Sequence, residues 1–185
     1  MSIKDVMVSA LRRIGREELA ADVEDGGEPT GEGEEVVKTL LYCINATEHE
    51  LARYYFPLRF TETLSSENGI FDFSIFRYTP VRILEVKSGG EAVGFGLFPN
   101  YLDAGAQNVE VTYLYVPPKK QMNGQSEFGA LADGNLTALG AAAEYCLICG
   151  ETAMAEVWET RYRAAIDRAQ RERRTAVYVP PRRWI

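Results

Sequence analysis

Ala52-Arg-Tyr-Tyr-Phe-Pro57-Leu-Arg59-Phe60 is the stretch at which the chain changes its hydrophobic period. On its N-terminal side apolar residues recur at helical spacing: Val36, Val37, Leu40, Leu41, Ile44, Leu51, Tyr54 and Tyr55. They predict a helix over about 33–55, stopped by Pro57, because the residue before a proline is pushed out of the helical region. On its C-terminal side, residues 59–117 are rich in β-branched and aromatic side chains broken by glycine and proline turns. Val81-Arg-Ile-Leu-Glu-Val-Lys87, then Gly89-Gly90, then Ala92-Val-Gly-Phe-Gly-Leu97 reads as a β-hairpin. Val109, Val111, Tyr113 and Tyr115 alternate along another strand, which Pro117-Pro118 closes.

Outward from this middle, helical periodicity returns on both sides. Ile3, Val6, Met7, Ala10, Leu11 and Ile14 define a one-faced helix over about 2–15, with Ser2 able to cap its start and Gly15 its end. Arg16 to Glu35 holds nine acids, one base and four glycines, which reads as a mobile acidic loop. After a polar stretch, Lys119 to Glu127, the residues Leu131, Leu136, Leu139, Ala143 and Cys146 predict a third helix over about 128–149. Met154, Val157, Trp158, Tyr162, Ala165, Ile166 and Ala169 predict a fourth over about 152–173. The run Gly140-Ala-Ala-Ala143 is small enough to let another helix approach closely. The expected fold is α+β: a bundle of about four helices with a central β-rich insertion, in one domain spanning 1–173, followed by an extended tail, 174–185.

The 185 residues, 46% of them apolar, suffice for one core. Net charge is −7, which argues against general nucleic-acid binding, since that needs a basic face to displace counterions. Charge is unevenly spread. From Arg161 to the end there are eight arginines and two acids, a balance of +6, and the remaining residues carry −13. Three cysteines (Cys43, Cys146, Cys149) sit in apolar helical patterns and read as reduced core residues. Met1-Ser-Ile-Lys-Asp-Val has no signal-peptide core and no apolar run is long enough to span a bilayer, so a soluble cytoplasmic product is expected.

The residues that could carry chemistry are few. His49, the single histidine, lies in Thr47-Glu48-His49-Glu50 without the second histidine that a zinc-protease helix needs, and it reads as a solvated helix-face residue. Cys146-Leu-Ile-Cys149 has C-x-x-C spacing but no second pair and no helix N-terminus to stabilise a thiolate, so packing is the better account. Gly89-Gly-Glu-Ala-Val-Gly94-Phe-Gly96 lacks the lysine and the following helix of a phosphate loop. The acidic stretch lacks the ligand positions of a calcium loop. No catalytic, cofactor-binding or metal-ligating set is therefore expected. The tail reads differently: Arg174, Tyr178, Pro180, Pro181, Arg182, Arg183, Trp184 and Ile185 combine arginine and aromatic residues, the types that dominate interface hot spots, with prolines that lower the entropy cost of ordering. It has too few apolar residues for a core of its own, so it is expected to dock on another protein.

Several local stretches taken together resemble a known family. These are Leu11-Arg-Arg-Ile-Gly15, the acidic stretch, the helix ending Ala52-Arg-Tyr-Tyr-Phe-Pro57, the β-rich middle with Glu85-Val-Lys-Ser-Gly-Gly90, Ala141-Ala-Ala-Glu-Tyr-Cys146, Ala155-Glu-Val-Trp-Glu-Thr-Arg-Tyr162-Arg-Ala-Ala-Ile166 and the arginine tail. Their order and local character resemble the head–tail adaptor (connector, head-completion) proteins of tailed bacteriophages. The resemblance implies a structural virion protein of the neck, present in the host cytoplasm during assembly. Such proteins form a ring, typically dodecameric, that joins the portal to a tail or stopper protein and extends the channel through which packaged DNA passes without specific binding. It further implies that residues 174–185 dock in the portal, with Trp184 as apolar anchor and Arg182 and Arg183 as charge partners. The chain could be a monomer before assembly. The β-rich region, Arg59 to Val116, is larger than in the smaller members of that family. Two other readings stand beside this one: a small enzyme using carboxylates such as Glu48, Glu50 or Glu144, and a nucleic-acid-binding adaptor acting through the basic tail.

Overall fold

The change of period at Pro57 is written into the backbone. A long α-helix, α3 (Glu32–Glu50), widens into a five-residue π-helix, Leu51–Tyr55. The Phe56 N–H donates to the Leu51 carbonyl at 2.7 Å, an i→i+5 bond. The first strand, β1 (Leu58–Ser65), starts directly after Pro57. The computed structural model describes residues 1–129 and 135–175, apart from the side chains of Arg174 and Thr175. The chain divides into two compact units, Met1–Glu48 with Lys119–Ile185, and His49–Pro118.

The first unit is helical. α1 (Ile3–Arg13) opens with a capping box: the Ser2 hydroxyl accepts from the Asp5 N–H at 3.1 Å and the Asp5 carboxylate accepts from the Ser2 N–H at 2.9 Å. Its apolar stripe, Ile3, Val6, Met7, Ala10 and Leu11, is fully buried. These side chains pack with Leu40, Cys43 and Ile44 of α3 and with Ala138 and Ala141 of α4 (Asn135–Ile148). α5 (Thr152–Thr175) packs against α4, with Ala155 and Trp158 set against Ala142, Ala143 and Cys146.

The acidic stretch corrects the sequence reading. It is not a loop throughout: Glu17–Asp25 forms α2, so five α-helices stand among the described residues where about four were expected. Ala20 and Val23 are buried and Leu19 packs beside them. Glu17 and Glu18 occupy the first turn, where the helix dipole favours negative charge. Gly26 closes the helix at φ 88°, a conformation that glycine adopts without steric cost. The predicted start of the third helix at 128 is also corrected, since Phe128 lies in a turn; Leu131 falls outside the described residues, and α4 is described over Asn135–Ile148.

The second unit is antiparallel β. One four-stranded sheet has the order β1-β7-β3-β4, with β7 (Asn108–Tyr115) central between β1 and β3 (Pro80–Ser88). A three-stranded sheet has the order β2-β6-β5, formed by Ile70–Asp72, Tyr101–Asp103 and Gly96–Leu97. The predicted hairpin is present but short: Lys87 faces Ala92 and Ser88 faces Glu91 across β4 (Glu91–Ala92), after which the chain leaves for the smaller sheet. Val109, Val111, Tyr113 and Tyr115 are buried on one face as expected. Phe71, Phe76, Ile83, Val86 and Leu102 complete that core. On the opposite face the register lines up polar residues, with Thr61 beside Thr112 and Thr63 beside Glu110.

Candidate functional site

The predicted docking tail begins where α5 ends. Arg174 lies in α5, but its side chain and the whole of Tyr178, Pro180, Pro181, Arg182, Arg183, Trp184 and Ile185 fall outside the described residues. What can be built from the residues upward is the support that carries this segment. Gly140 lets α5 approach: a Cβ there would meet the Thr47 Cγ2 at 2.5 Å and the Tyr162 ring at 3.0 Å. The close approach places Tyr162, Ile166 and Ala169 in the core, so α5 stays anchored to within two turns of its end.

Charge decorates the exposed side of α5. Arg163 pairs with Glu159 at 2.5 Å and Arg168 with Glu172 at 2.8 Å, both at i,i+4 spacing. The Arg161 guanidinium lies 4.7 Å from the centre of the Trp158 ring, within cation–π range. Four large apolar side chains, Leu147, Ile148, Met154 and Val157, are exposed on the α4–α5 hairpin.

A second polar assembly ties residues 119–128 to the helices of the first unit. The Asn45 amide brackets one backbone residue: its oxygen accepts from the Lys120 N–H at 2.6 Å and its nitrogen donates to the Lys120 carbonyl at 3.0 Å. The Lys120 ammonium pairs with Glu127 at 2.8 Å. Ser126 donates its hydroxyl to Oε1 of Glu48 at 2.5 Å, and its N–H bonds the Met1 carbonyl at 3.1 Å. Glu48 is 1% exposed and its Oε2 has no hydrogen-bond partner among the described residues. Burial raises its pKa above the ordinary carboxylate value, against the opposing pull of the Ser126 hydrogen bond and the Lys120 charge.

The other candidates fall out as follows. His49 is half-buried and donates from Nε2 to the Pro117 carbonyl at 2.8 Å, so it is not the fully solvated residue expected. Cys43 and Cys146 are buried, but Cys149 is exposed, which corrects its reading as core; all three thiols are free. Burial pushes the Cys43 thiol up to about 12. Gly89 and Gly90 form the β3–β4 turn at φ 62° and 88°. Among the described residues no group of three or more His, Cys, Asp or Glu is placed to hold a metal ion, and no helix is long and apolar enough to cross a membrane. A cleft of about 520 Å³ lies where α2 and α3 begin, lined by Arg16, Glu17, Glu18, Leu19, Glu32 and Val36. Glu48, Glu50 and Glu144 line no part of it. Sequence reasoning named Glu48 among candidate carboxylates but missed its burial, because helical spacing put it among solvated acids; nothing local to Thr47-Glu48-His49-Glu50 distinguishes the buried acid from its neighbour. No protein-family model matches the chain, and no curated protein matches it.

Proposed function

We propose that the chain is a structural assembly protein, a head–tail adaptor whose copies form a ring between a portal and a tail or stopper protein. The helices of the first unit are the adaptor body in this reading, the β unit is the insertion, and residues 174–185 are the docking element. The observation that carries the proposal is the anchoring of α5. The helix is held in the core through Tyr162, Ile166 and Ala169, so it presents the following arginine-aromatic segment from a fixed point rather than from a long linker. A fixed starting point lowers the entropy lost when a short segment docks. The segment itself carries Arg, Tyr and Trp, which anchor protein interfaces. Exposed Leu147, Ile148, Met154 and Val157 on the same hairpin supply apolar surface for a neighbouring subunit. Ring closure follows when a head-to-tail contact between copies returns to its start.

The test is co-sedimentation with a tailed-phage portal protein. The full chain is expected to bind and decorate the portal as a ring visible by electron microscopy. Deletion of residues 174–185 is expected to abolish binding while leaving the helical circular-dichroism spectrum unchanged. A truncated chain that still assembles on the portal refutes the docking role.

A further inference from the structure

β1 ends the four-stranded sheet, and among the described residues only one of its edges is paired. Which residues face the open edge follows from the register. The Ser66 N–H bonds the Gln107 carbonyl at 2.8 Å, continuing the ladder in which Leu64 faces Val109 and Leu58 faces Tyr115. In an antiparallel pair alternate residues direct both backbone groups at the partner strand. Leu58, Phe60, Glu62 and Leu64 therefore direct theirs at β7, and Arg59, Thr61, Thr63 and Ser65 direct theirs away from it. The 2.9 Å contact between the Thr61 and Thr112 hydroxyls agrees, since side chains approach closest across the pairs that share no backbone bond.

An unpaired edge of eight residues is a template for another strand, and proteins that avoid such pairing blunt the edge with proline, a bulge, lysine or a covering segment. Leu58–Ser65 has no proline or lysine, its register with β7 is unbroken by a bulge, and no strand among the described residues covers it. Its outward row carries one charge, Arg59, at one end, followed by Thr61, Thr63 and Ser65.

We propose that this edge pairs antiparallel with the same edge of a second copy, about a two-fold axis at Thr61. Only outward-facing residues can exchange bonds, and three registers set Thr61 or Thr63 of one copy opposite Thr61 or Thr63 of the other. Setting Thr61 opposite the partner's Thr63 places Glu62 directly opposite the partner's Glu62, a destabilising like-charge pair. Setting Thr63 opposite the partner's Thr63 moves the contact off the apolar end of the strand. Setting Thr61 opposite the partner's Thr61 places Leu58 opposite Leu64 and Phe60 opposite Glu62. The Arg77 guanidinium lies 5.6 Å from the Phe60 ring centre, so in this register each Glu62 meets the other copy's Phe60–Arg77 pair. The charges are complementary twice over, once on each side of the axis. Residues 59, 61 and 63 of each copy exchange backbone bonds, and two four-stranded sheets become one. A two-fold contact joins pairs of copies and differs from the head-to-tail contact of a ring, so this interface is independent of the adaptor reading.

Sedimentation equilibrium of the full chain tests it. The wild-type chain is expected to be dimeric at about 100 µM and to dissociate on dilution. Thr61→Pro removes an N–H that β7 does not use, so the variant should keep its circular-dichroism spectrum while its dimer dissociation constant rises at least about tenfold. A second measurement is independent of proline tolerance. In a Cys149→Ser background, Thr61→Cys is expected to form an intermolecular disulfide on mild oxidation and Ser65→Cys is not, because only position 61 meets itself across the axis. A wild-type chain that is monomeric at that concentration, a folded Thr61→Pro variant that dimerises as wild type does, or equal cross-linking at 61 and 65 overturns the proposal.

Discussion

Replacing Gly140 by alanine puts two effects of known size in opposition. In the interior of a helix alanine is favoured over glycine by about 1 kcal/mol, and an exposed site would show that gain. Gly140 is not exposed: the added methyl would sit 2.5 Å from the Thr47 Cγ2 and 3.0 Å from two atoms of the Tyr162 ring. Thr47 cannot turn aside cheaply. It is 3% exposed, β-branched, and its hydroxyl donates to the Cys43 carbonyl at 2.9 Å, so its rotamer is fixed from two sides. Overpacking a filled core costs about 1–3 kcal/mol, and a contact this short against a fixed methyl belongs near the top of that range. The expected net loss is about 1–2 kcal/mol, lowering Tm by about 5 °C for a chain of this size. Thermal and urea denaturation followed by circular dichroism would measure it. Thr47→Ser removes the methyl and keeps the hydroxyl, so the double variant should recover about 1 kcal/mol relative to the sum of the singles, leaving the Tyr162 contact as the residue of the cost. A Gly140→Ala chain at least as stable as wild type, or strict additivity with Thr47→Ser, would refute the close-packing argument.

Two further outcomes follow from the buried polar and thiol groups. Glu48 has a raised folded-state pKa, with Ser126, Lys120 and Glu127 facing it. The folded state therefore holds its proton more tightly than the unfolded state: stability is fully present below the unfolded carboxylate pKa and is lost as pH rises through the folded one. Glu48→Gln keeps an oxygen for the Ser126 hydroxyl and removes the titration, so it should match wild type in acid and exceed it in urea resistance above neutrality; parallel pH profiles for the two chains would count against this. Native iodoacetamide treatment near pH 8 should label one site, Cys149, because Cys43 and Cys146 are buried and burial pushes both thiols up. Mass spectrometry finding Cys43 labelled at a similar rate would contradict the core assignment.

Much of the secondary structure was legible because its signals are local. The capping box at Ser2, the stripe of α1, the stop at Pro57 and the alternation of β7 are each settled within a few residues. The features that were not legible depend on partners far away in sequence. α2 carries only Leu19, Ala20 and Val23 as an apolar face, too little against its five acids to register as a helix until α1 and α3 provide something to pack on. Tyr54 belongs to the apolar spacing read for the second helix but is exposed, because the π-turn at Leu51–Tyr55 rotates less per residue and shifts the helical phase. Of the candidate docking residues, only the backbone of Arg174 falls within the described structure.

The sequence by itself determined α1, α3 and α5, the turn to strand after Pro57, and how charge divides between an acidic body and a cationic end, since periodicity and composition are properties of neighbours along the chain. Only the tertiary structure decided that Glu48 is buried beneath Ser126, that Gly140 is a point of contact rather than a flexible residue, and that β1 stands at the rim of its sheet. Burial, close approach and strand order are set by which distant segments meet, and the energy that selects them is summed over contacts that no local window contains.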